Sequence, residues 1–432
     1  MGPSTIFDKS ALQALSVDES VWFEAFFSAI LVPVFYVETL ADLEKNTRGR
    51  DPEDVVGRLA EKTPANAAPI VFHRDLLLSE LGGNELDLVT RRPVLRGGKV
   101  KRAPDGAVGV HFDDFPEAVA LQRWQAREFE EVERTVAKKW RSSLAEHDPQ
   151  RVIGMVKNIL PTDTKISDLA QLKELIDGFC DSTDPHVLQL ALAVLDVPPD
   201  HQAHALARWG VAGQPALPTF APYTTHCFKV DLLYHLGMLR SFISGERASN
   251  RADMEYLYYL PFASVFVSGD KLHQRTVPLF ARPDQSYIPH TGLKAALRDL
   301  DDHYNGLPDE VKQLGVLSFA AYPPLDRDGN LVPRLWDLHM SSEWRAMAER
   351  HQAKLHGPRD EEAEREMVAE LNHRMREAQA IEDGDSGPVL DDDGPEYMVI
   401  TRHVFPTKGK WRIVPEEAED VGGKPGDKAP PA

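Results

Sequence analysis

The segment 263–270, Ala-Ser-Val-Phe-Val-Ser-Gly-Asp, constrains the fold more than any other part of the chain. It is a continuous apolar run closed by a small-residue turn and an acid. Half-solvated strands alternate polar and apolar residues; a run that is apolar on both faces belongs to a parallel strand covered by helices on both sides. Residues 4–8, Ser-Thr-Ile-Phe-Asp, read as a short strand of the same kind entering a turn at an acid. Residues 17–29 then read as a helix, with Asp18, Glu19 and Ser20 offering charge and capping at its start. A second buried strand is expected over 30–36 and a helix beginning near Glu38. Strand, helix, strand, helix is the alternation of an α/β fold built on a central parallel sheet.

The alternation stops at about residue 58. From 58 to 225 helix signal dominates. Residues 115–145 predict one long amphipathic helix, with Trp124, Phe129, Val132, Val136 and Trp140 as its buried stripe. Further helices are expected over 166–179, 185–195 and 201–209, with 215–222 as a proline-rich connector. Helix signal continues at 227–244, 251–260, 293–304 and 336–379, and residues 397–403 with 410–414 suggest a hairpin. Residues 416–432 are expected to be disordered. This divides the chain into a discontinuous core (1–57 plus 226–300), a mainly helical insertion (58–225), a helical extension (301–381) and an acidic tail (382–432).

Composition narrows the class. The chain has 432 residues, 42% of them hydrophobic, enough to bury a substantial core. Its two cysteines, Cys180 and Cys227, lack zinc-ligand spacing and are expected to be small buried hydrophobes. So few cysteines point to a reducing cytoplasm. No apolar run reaches signal-peptide or membrane-span length, so no membrane is expected. The formal net charge of −19 excludes a protein coated in positive field, but leaves room for a local basic strip. That strip is Arg91, Arg92, Arg96, Lys99, Lys101 and Arg102, among glycines that would let a nucleic-acid strand approach the backbone; a solvated hairpin is the plain alternative.

Asp8 and Asp270 sit at the C-terminal ends of the expected strands, the edge where open parallel sheets bind ligands. Glu38 and Asp253 are expected at helix starts pointing toward the same edge. Four converging carboxylates repel one another unless a cation lies among them. Oxygen ligands suit Mg²⁺ or Mn²⁺, and such an ion activates water for attack on a phosphodiester. Taken alone, each acid also reads as a cap, a turn or a solvated residue. Lys271 and His273 read either as phosphate contacts or as plain surface; His226, His235 and His290 read as structural.

The stretches Ile6-Phe-Asp8-Lys-Ser10, Val32-Pro-Val-Phe-Tyr-Val-Glu38 and Asn250-Arg-Ala-Asp253 with Ser268-Gly-Asp270 resemble the PIN-domain nucleases. The resemblance covers roughly 4–57 and 226–300. It implies a PIN-like three-layer core, with Asp8, Glu38, Asp253 and Asp270 as metal ligands or holders of ligating waters. Ser10 and Ser268 become hydroxyl supports, and RNA a better substrate than DNA. Asp42 or Glu44 could instead supply the second acid. A haloacid-dehalogenase-like phosphatase is disfavoured because Ser10 stands where its second Asp belongs. A non-catalytic PIN-like module that binds RNA or protein remains open, as does a protein partner or a homo-oligomer.

Overall fold

The computed structural model describes residues 2–45, 49–65, 67–94, 98–102, 108–112, 116–146, 149–159, 165–356, 397–399 and 406–414. Its strands are β1 (Ser4–Phe7), β2 (Ser28–Leu31), β3 (Ala68–Pro69), β4 (Gly98–Arg102), β5 (Val108–Phe112), β6 (Val265–Ser268), β7 (Ser286–Pro289), β8 (Tyr397–Val399), β9 (Thr407–Lys408) and β10 (Trp411–Arg412). Five of them form one sheet in the order β3-β2-β1-β6-β7. Every pairing in it is parallel, with Ile6 opposite Ile30 on one side and Phe266 on the other. All four residues of β6 are buried, as its unbroken apolar run requires. The expected α/β class with a central parallel sheet is what this architecture is.

The strand order has a consequence for chemistry. The chain leaves β1 toward β2 on one side, and β6 returns on the other, so the connections on either side of the β1/β6 pair diverge. At such a switch point a crevice opens outside the carboxyl ends of the strands. Asp8 follows β1 directly, and Asp270 follows β6 after one glycine.

Several boundaries differ from the sequence expectation for identifiable reasons. The second strand ends at Leu31, and a helix begins at Pro33 rather than near Glu38. Proline has its φ preset for the first helical position and lacks an N–H that would go unbonded there. Glu38 is therefore in the last turn of Pro33–Leu40, and Asp253 is the fifth residue of Ser249–Glu255; neither starts a helix. The expected helix over 115–145 is two, Pro116–Gln125 and Glu131–Glu146. They part around Arg127, whose φ is 62°. In the second, Val132 and Val136 are exposed while Glu133 and Ala137 are buried. Glu133 is drawn inward by Trp124 Nε1 at 3.0 Å and Arg123 Nη2 at 2.8 Å, which turns the face by one residue. Trp124 is core, as expected, stacked on Tyr36 at 4.7 Å.

The segment assigned to an insertion is not separable from the core. It contributes β3, and the helix Pro222–Leu239 crosses the expected boundary at 225. That helix is buried around most of its circumference and packs on Leu169–Cys180, Gln150–Val156, His73–Gly82 and the 3₁₀ turn Tyr256–Phe262. The expected terminal hairpin also splits. β8 joins the ribbon of β4 and β5, whereas β9 and β10 pair with each other through Gly409. This small hairpin seats Trp411 edge-on to Trp22 at 4.7 Å, and Lys408 pairs with Glu24 at 2.8 Å. Residues 416–432 and all of 357–396 lie outside the described residues. No helix among the described residues is long and apolar enough to cross a membrane.

Candidate active site

Asp8 caps the helix Lys9–Ala14, its Oδ1 accepting from Ala11 N at 2.8 Å. Ser10 Oγ donates to the same carboxylate at 2.7 Å, and Ser268 Oγ donates to Oδ2 at 2.6 Å. Both expected hydroxyl supports are thus in contact with Asp8. Ser10 Oγ also accepts from Gly269 N at 2.8 Å, so β1 and β6 are stitched together at the switch point. Gly269 has no room for a side chain: a Cβ there would stand 2.5 Å from His290 Nδ1 and 2.9 Å from Ser10 Oγ.

His273, read from sequence as surface or a phosphate contact, is fully buried. Its charge follows from counting hydrogens. The carbonyl of Asp253, 2.6 Å from Nε2, can only accept. The single hydroxyl hydrogen of Ser268 goes to Asp8, so Ser268 Oγ accepts from His273 Nδ1 at 2.8 Å and from Asp270 N at 2.9 Å. Both ring nitrogens therefore donate, and the ring is an imidazolium. Burial works against that charge, but the Asp8 carboxylate 3.4 Å away outweighs it and raises the His273 pKa. The reciprocal holds for Asp8: burial opposes its ionisation, while His273, Ser268 and Ser10 hold its pKa below the ordinary value. Asp8 is 4% exposed and hydrogen-bonded at both oxygens.

The second acid is spoken for in a different way. Lys9, directly after Asp8, places Nζ 3.3 Å from Glu38 Oε1 and 3.2 Å from Asp42 Oδ1. Burial disfavours the ammonium, yet Glu38 and Asp42 raise its pKa. Tyr256 donates to Glu38 Oε2 at 3.0 Å. Asp42, weighed as an alternative second acid, is buried beside Lys9, whereas Glu44 is exposed.

Asp253 is the exception. It is 7% exposed, and its Oδ2 is buried without a hydrogen-bond partner among the described residues. Burial pushes its pKa up to about 7; Asp270 and Glu38 push the same way, and His273 and Arg247 oppose them. Asp270 accepts from Leu272 N at 2.6 Å and pairs with the largely exposed Arg247 at 3.2 Å. Of the five carboxylates of the rim, Asp8, Glu38, Asp42 and Asp270 pair with Lys9, Lys45, His273 and Arg247, and Asp253 has no ion pair among the described residues. The chain matches no family model, no curated protein and no solved structure.

Among the described residues no three His, Cys, Asp or Glu side chains stand together as a ready metal cage. A hard ion that keeps most of its waters needs only one or two direct carboxylates. The unpartnered Asp253 oxygen would suit such an ion, and Asp253 and Asp270 are the residues that would hold it.

The basic strip is elsewhere. The Arg91 carbonyl accepts from Ser4 Oγ, at the start of β1 and so at the opposite edge of the sheet from Asp8. Its guanidinium is committed to Asp284, through the carbonyl at 2.9 Å and the carboxylate at 3.4 Å. Arg92 is exposed. Lys99, Lys101 and Arg102 lie on β4, which pairs with β5 as a hairpin. Arg96 lies outside the described residues. Lys271 is exposed at the first turn after Asp270, on the rim itself. Lys9, Asp42, Tyr256 and Arg247 were not assigned to the site from sequence, apart from Asp42 as an alternative. Lys9 was detectable only as the neighbour of Asp8.

Proposed function

We propose that this chain is a metal-dependent phosphodiester hydrolase, an endonuclease acting on RNA in preference to DNA, with its site at the β1/β6 switch point. The observation that carries the reading is Asp253: a buried carboxylate with an oxygen unpartnered among the described residues and a pKa near 7 that the neighbouring Asp270 helps to raise. A carboxylate kept in that state at a ligand-binding edge is suited to a cation or a proton in transit. Bound Mg²⁺ or Mn²⁺ would supply a water of lowered pKa and neutralise charge on the phosphate.

The chain's own residues divide the remaining work. Asp253 and Asp270 present oxygens to the ion. Asp8 and the His273 imidazolium lock β1, β6 and the backbone of Asp253 into one frame, so that the carboxylates are preorganised. Lys271 and His290, at the rim, are placed to meet a phosphate. The preference for RNA rests on the PIN-like resemblance.

Labelled RNA and DNA incubated with Mn²⁺, Mg²⁺ or chelator test this reading, with Asp253→Asn and Asp270→Asn alongside. Metal-dependent cutting of RNA that drops at least about 100-fold in either variant is expected. Cutting that survives both variants removes the rim from the chemistry. A non-catalytic RNA- or protein-binding module is the second reading. It is favoured by the internal pairing of Asp8 and Glu38, and tight RNA binding without cleavage under every metal condition would support it.

A further inference from the structure

His290, whose ring closes the space over Gly269 and Ser10, opens the helix His290–Asn305 at the rim. Lys294 and Arg298 follow it at intervals of four residues, so the three lie on one helix face, about 6 Å apart along the axis. The helix Lys9–Ala14 packs beside it. Its first turn holds Ser10 at the rim, and its last carbonyls draw cations. Lys294 Nζ donates to Ala14 O at 2.7 Å, and Lys62 Nζ to Gln13 O at 3.3 Å. Lys62 has no carboxylate partner among the described residues. Burial lowers its pKa, Lys294 and Arg58 act the same way, and Glu19 and Glu61 oppose them without prevailing. The acids nearby are shared: Glu19 meets Lys294 at 2.6 Å and Arg298 at 3.2 Å, Asp54 meets Arg58 at 2.8 Å and Arg127 at 3.1 Å, and Glu61 meets Arg127 at 2.6 Å. The side chains of Arg58 and Arg298 are 69% and 63% exposed. Thr291, Gly292 and Ala295, exposed on the same helix, are small and uncharged, and its first acids come only at Asp299, Asp301 and Asp302.

We propose that the stripe His290, Lys294 and Arg298, with Lys62 and Arg58 beside it, is the track along which a single RNA strand reaches the rim. Its end point rests on the reading of the rim as a nuclease site. A chain of formal net charge −19 repels a polyanion over most of its surface, so the strand must land where cations are gathered. Lys62 has two of its three N–H donors left for phosphate oxygens or water. Exposed pairs such as Arg58 with Asp54 are weak in water, so the guanidinium exchanges a carboxylate for a phosphate at little cost. Glu19 is not stranded when Arg298 turns to a phosphate, because it keeps Lys294 and the Ser16 N–H. A line of cations one helix wide follows one backbone rather than two. Its step of about 6 Å is close to the length of one extended nucleotide. The line ends at Ser10 and Gly269, one residue from Asp270.

Fluorescence anisotropy of a labelled oligouridylate of about 12 nucleotides, titrated with the full chain in chelator over a series of KCl concentrations, tests the track. Each phosphate contact contributes about 0.7 to the slope of log K against log salt for a single strand. Combining Arg58→Gln, Lys62→Gln and Arg298→Gln should therefore flatten the slope by about 2, and Arg298→Gln alone by about 0.7. The single variant decides the matter if the triple variant does not fold. Combining Lys99→Gln, Lys101→Gln and Arg102→Gln on β4 should leave the slope as in the wild type. An unchanged slope in the folded triple variant, or a flattened one in the β4 variant instead, would overturn the track. So would a wild type that binds no RNA at about 50 mM KCl. Sedimentation with phosphatidylserine vesicles, lost in the triple variant and without RNA binding, would give the stripe to a membrane surface. RNA held by the stripe but never cut with Mn²⁺ or Mg²⁺ would overturn the nuclease reading and leave the track standing.

Discussion

Asp231 and Asp253 are both aspartates, both nearly inaccessible at 4% and 7% exposure, and both tied to the helix Ser249–Glu255. Asp231 is paired with Arg251 through a short contact and accepts from Tyr258 OH at 2.6 Å. Burial opposes its charge, but Arg251, His235 and Tyr258 hold its pKa below the ordinary value. Asp253, two residues along from Arg251, has no partner on Oδ2 among the described residues, and its pKa rises to about 7. Burial is common to the two, so it cannot be what marks a reactive group. The supply of partners makes the difference: Asp231 is complete within the chain, and Asp253 is complete only with something added.

That contrast can be broken most forcefully at Arg251. Removing one member of a buried pair leaves an uncompensated charge. Arg251→Met should therefore lower unfolding free energy by about 3–5 kcal/mol in urea melts at pH 7. A loss below about 1 kcal/mol would make Asp231 as poorly partnered as Asp253 and dissolve the comparison.

The next effect has the opposite sign. Because the folded pKa of Asp253 lies at about 7 against an ordinary 3.8, the native state holds this proton more tightly than the unfolded chain does. The stability it contributes is present below about pH 4 and is lost as pH rises through 7. Without metal, Asp253→Asn should thus be more stable than wild type at pH 8, by about 2–4 kcal/mol at ~1.4 kcal/mol per pKa unit. The gap should close near pH 4. A variant less stable than wild type at pH 8 would show that the carboxylate has a partner after all.

Ser268→Ala sharpens the comparison from the Asp8 side. It removes a hydroxyl that bonds Asp8, His273 and the Asp270 backbone at once. A loss of about 1–3 kcal/mol in thermal or urea melts is expected, larger than for an isolated hydroxyl. Least affected should be Arg91→Ala, since a partly exposed pair with Asp284 contributes about 0–1 kcal/mol. RNA cleavage should be unchanged in this variant, because Arg91 lies at the far edge of the sheet. A drop in cleavage with intact stability would return Arg91 to the nucleic-acid path.

Much of this arrangement was legible in the chain itself. β1 and β6 announce themselves as apolar runs ending in acids, which placed Asp8 and Asp270 on one rim, with Ser10 and Ser268 beside them. The second strand shifted because Pro33 belongs to a helix start, a signal that was present and outweighed by the apolar run around it. β3 gives no signal: two residues, Ala68 and Pro69, are paired only because the sheet beside them is already formed. His273 was readable in principle, since Leu272, His273, Thr276 and Val277 make the buried stripe of their helix. Its charge was not readable, because it depends on Asp253 O and Ser268 Oγ arriving from other segments. Lys9 illustrates the same limit: adjacency to Asp8 is visible, but its grip on Glu38 and Asp42 needs the sheet to bring residues 29 and 33 positions away to meet it.

The ionisation of Asp253 tests the account most directly. A carboxyl titration followed by ¹³C nuclear magnetic resonance, with Asp253→Asn to assign the signal, should find a midpoint near 7 in metal-free protein. Saturating Mg²⁺ should move it below about 5, because the ion binds only the ionised form. A midpoint near 4 with and without Mg²⁺ would mean that Asp253 is an ordinary carboxylate, and the rim would have no vacancy for a cation to fill.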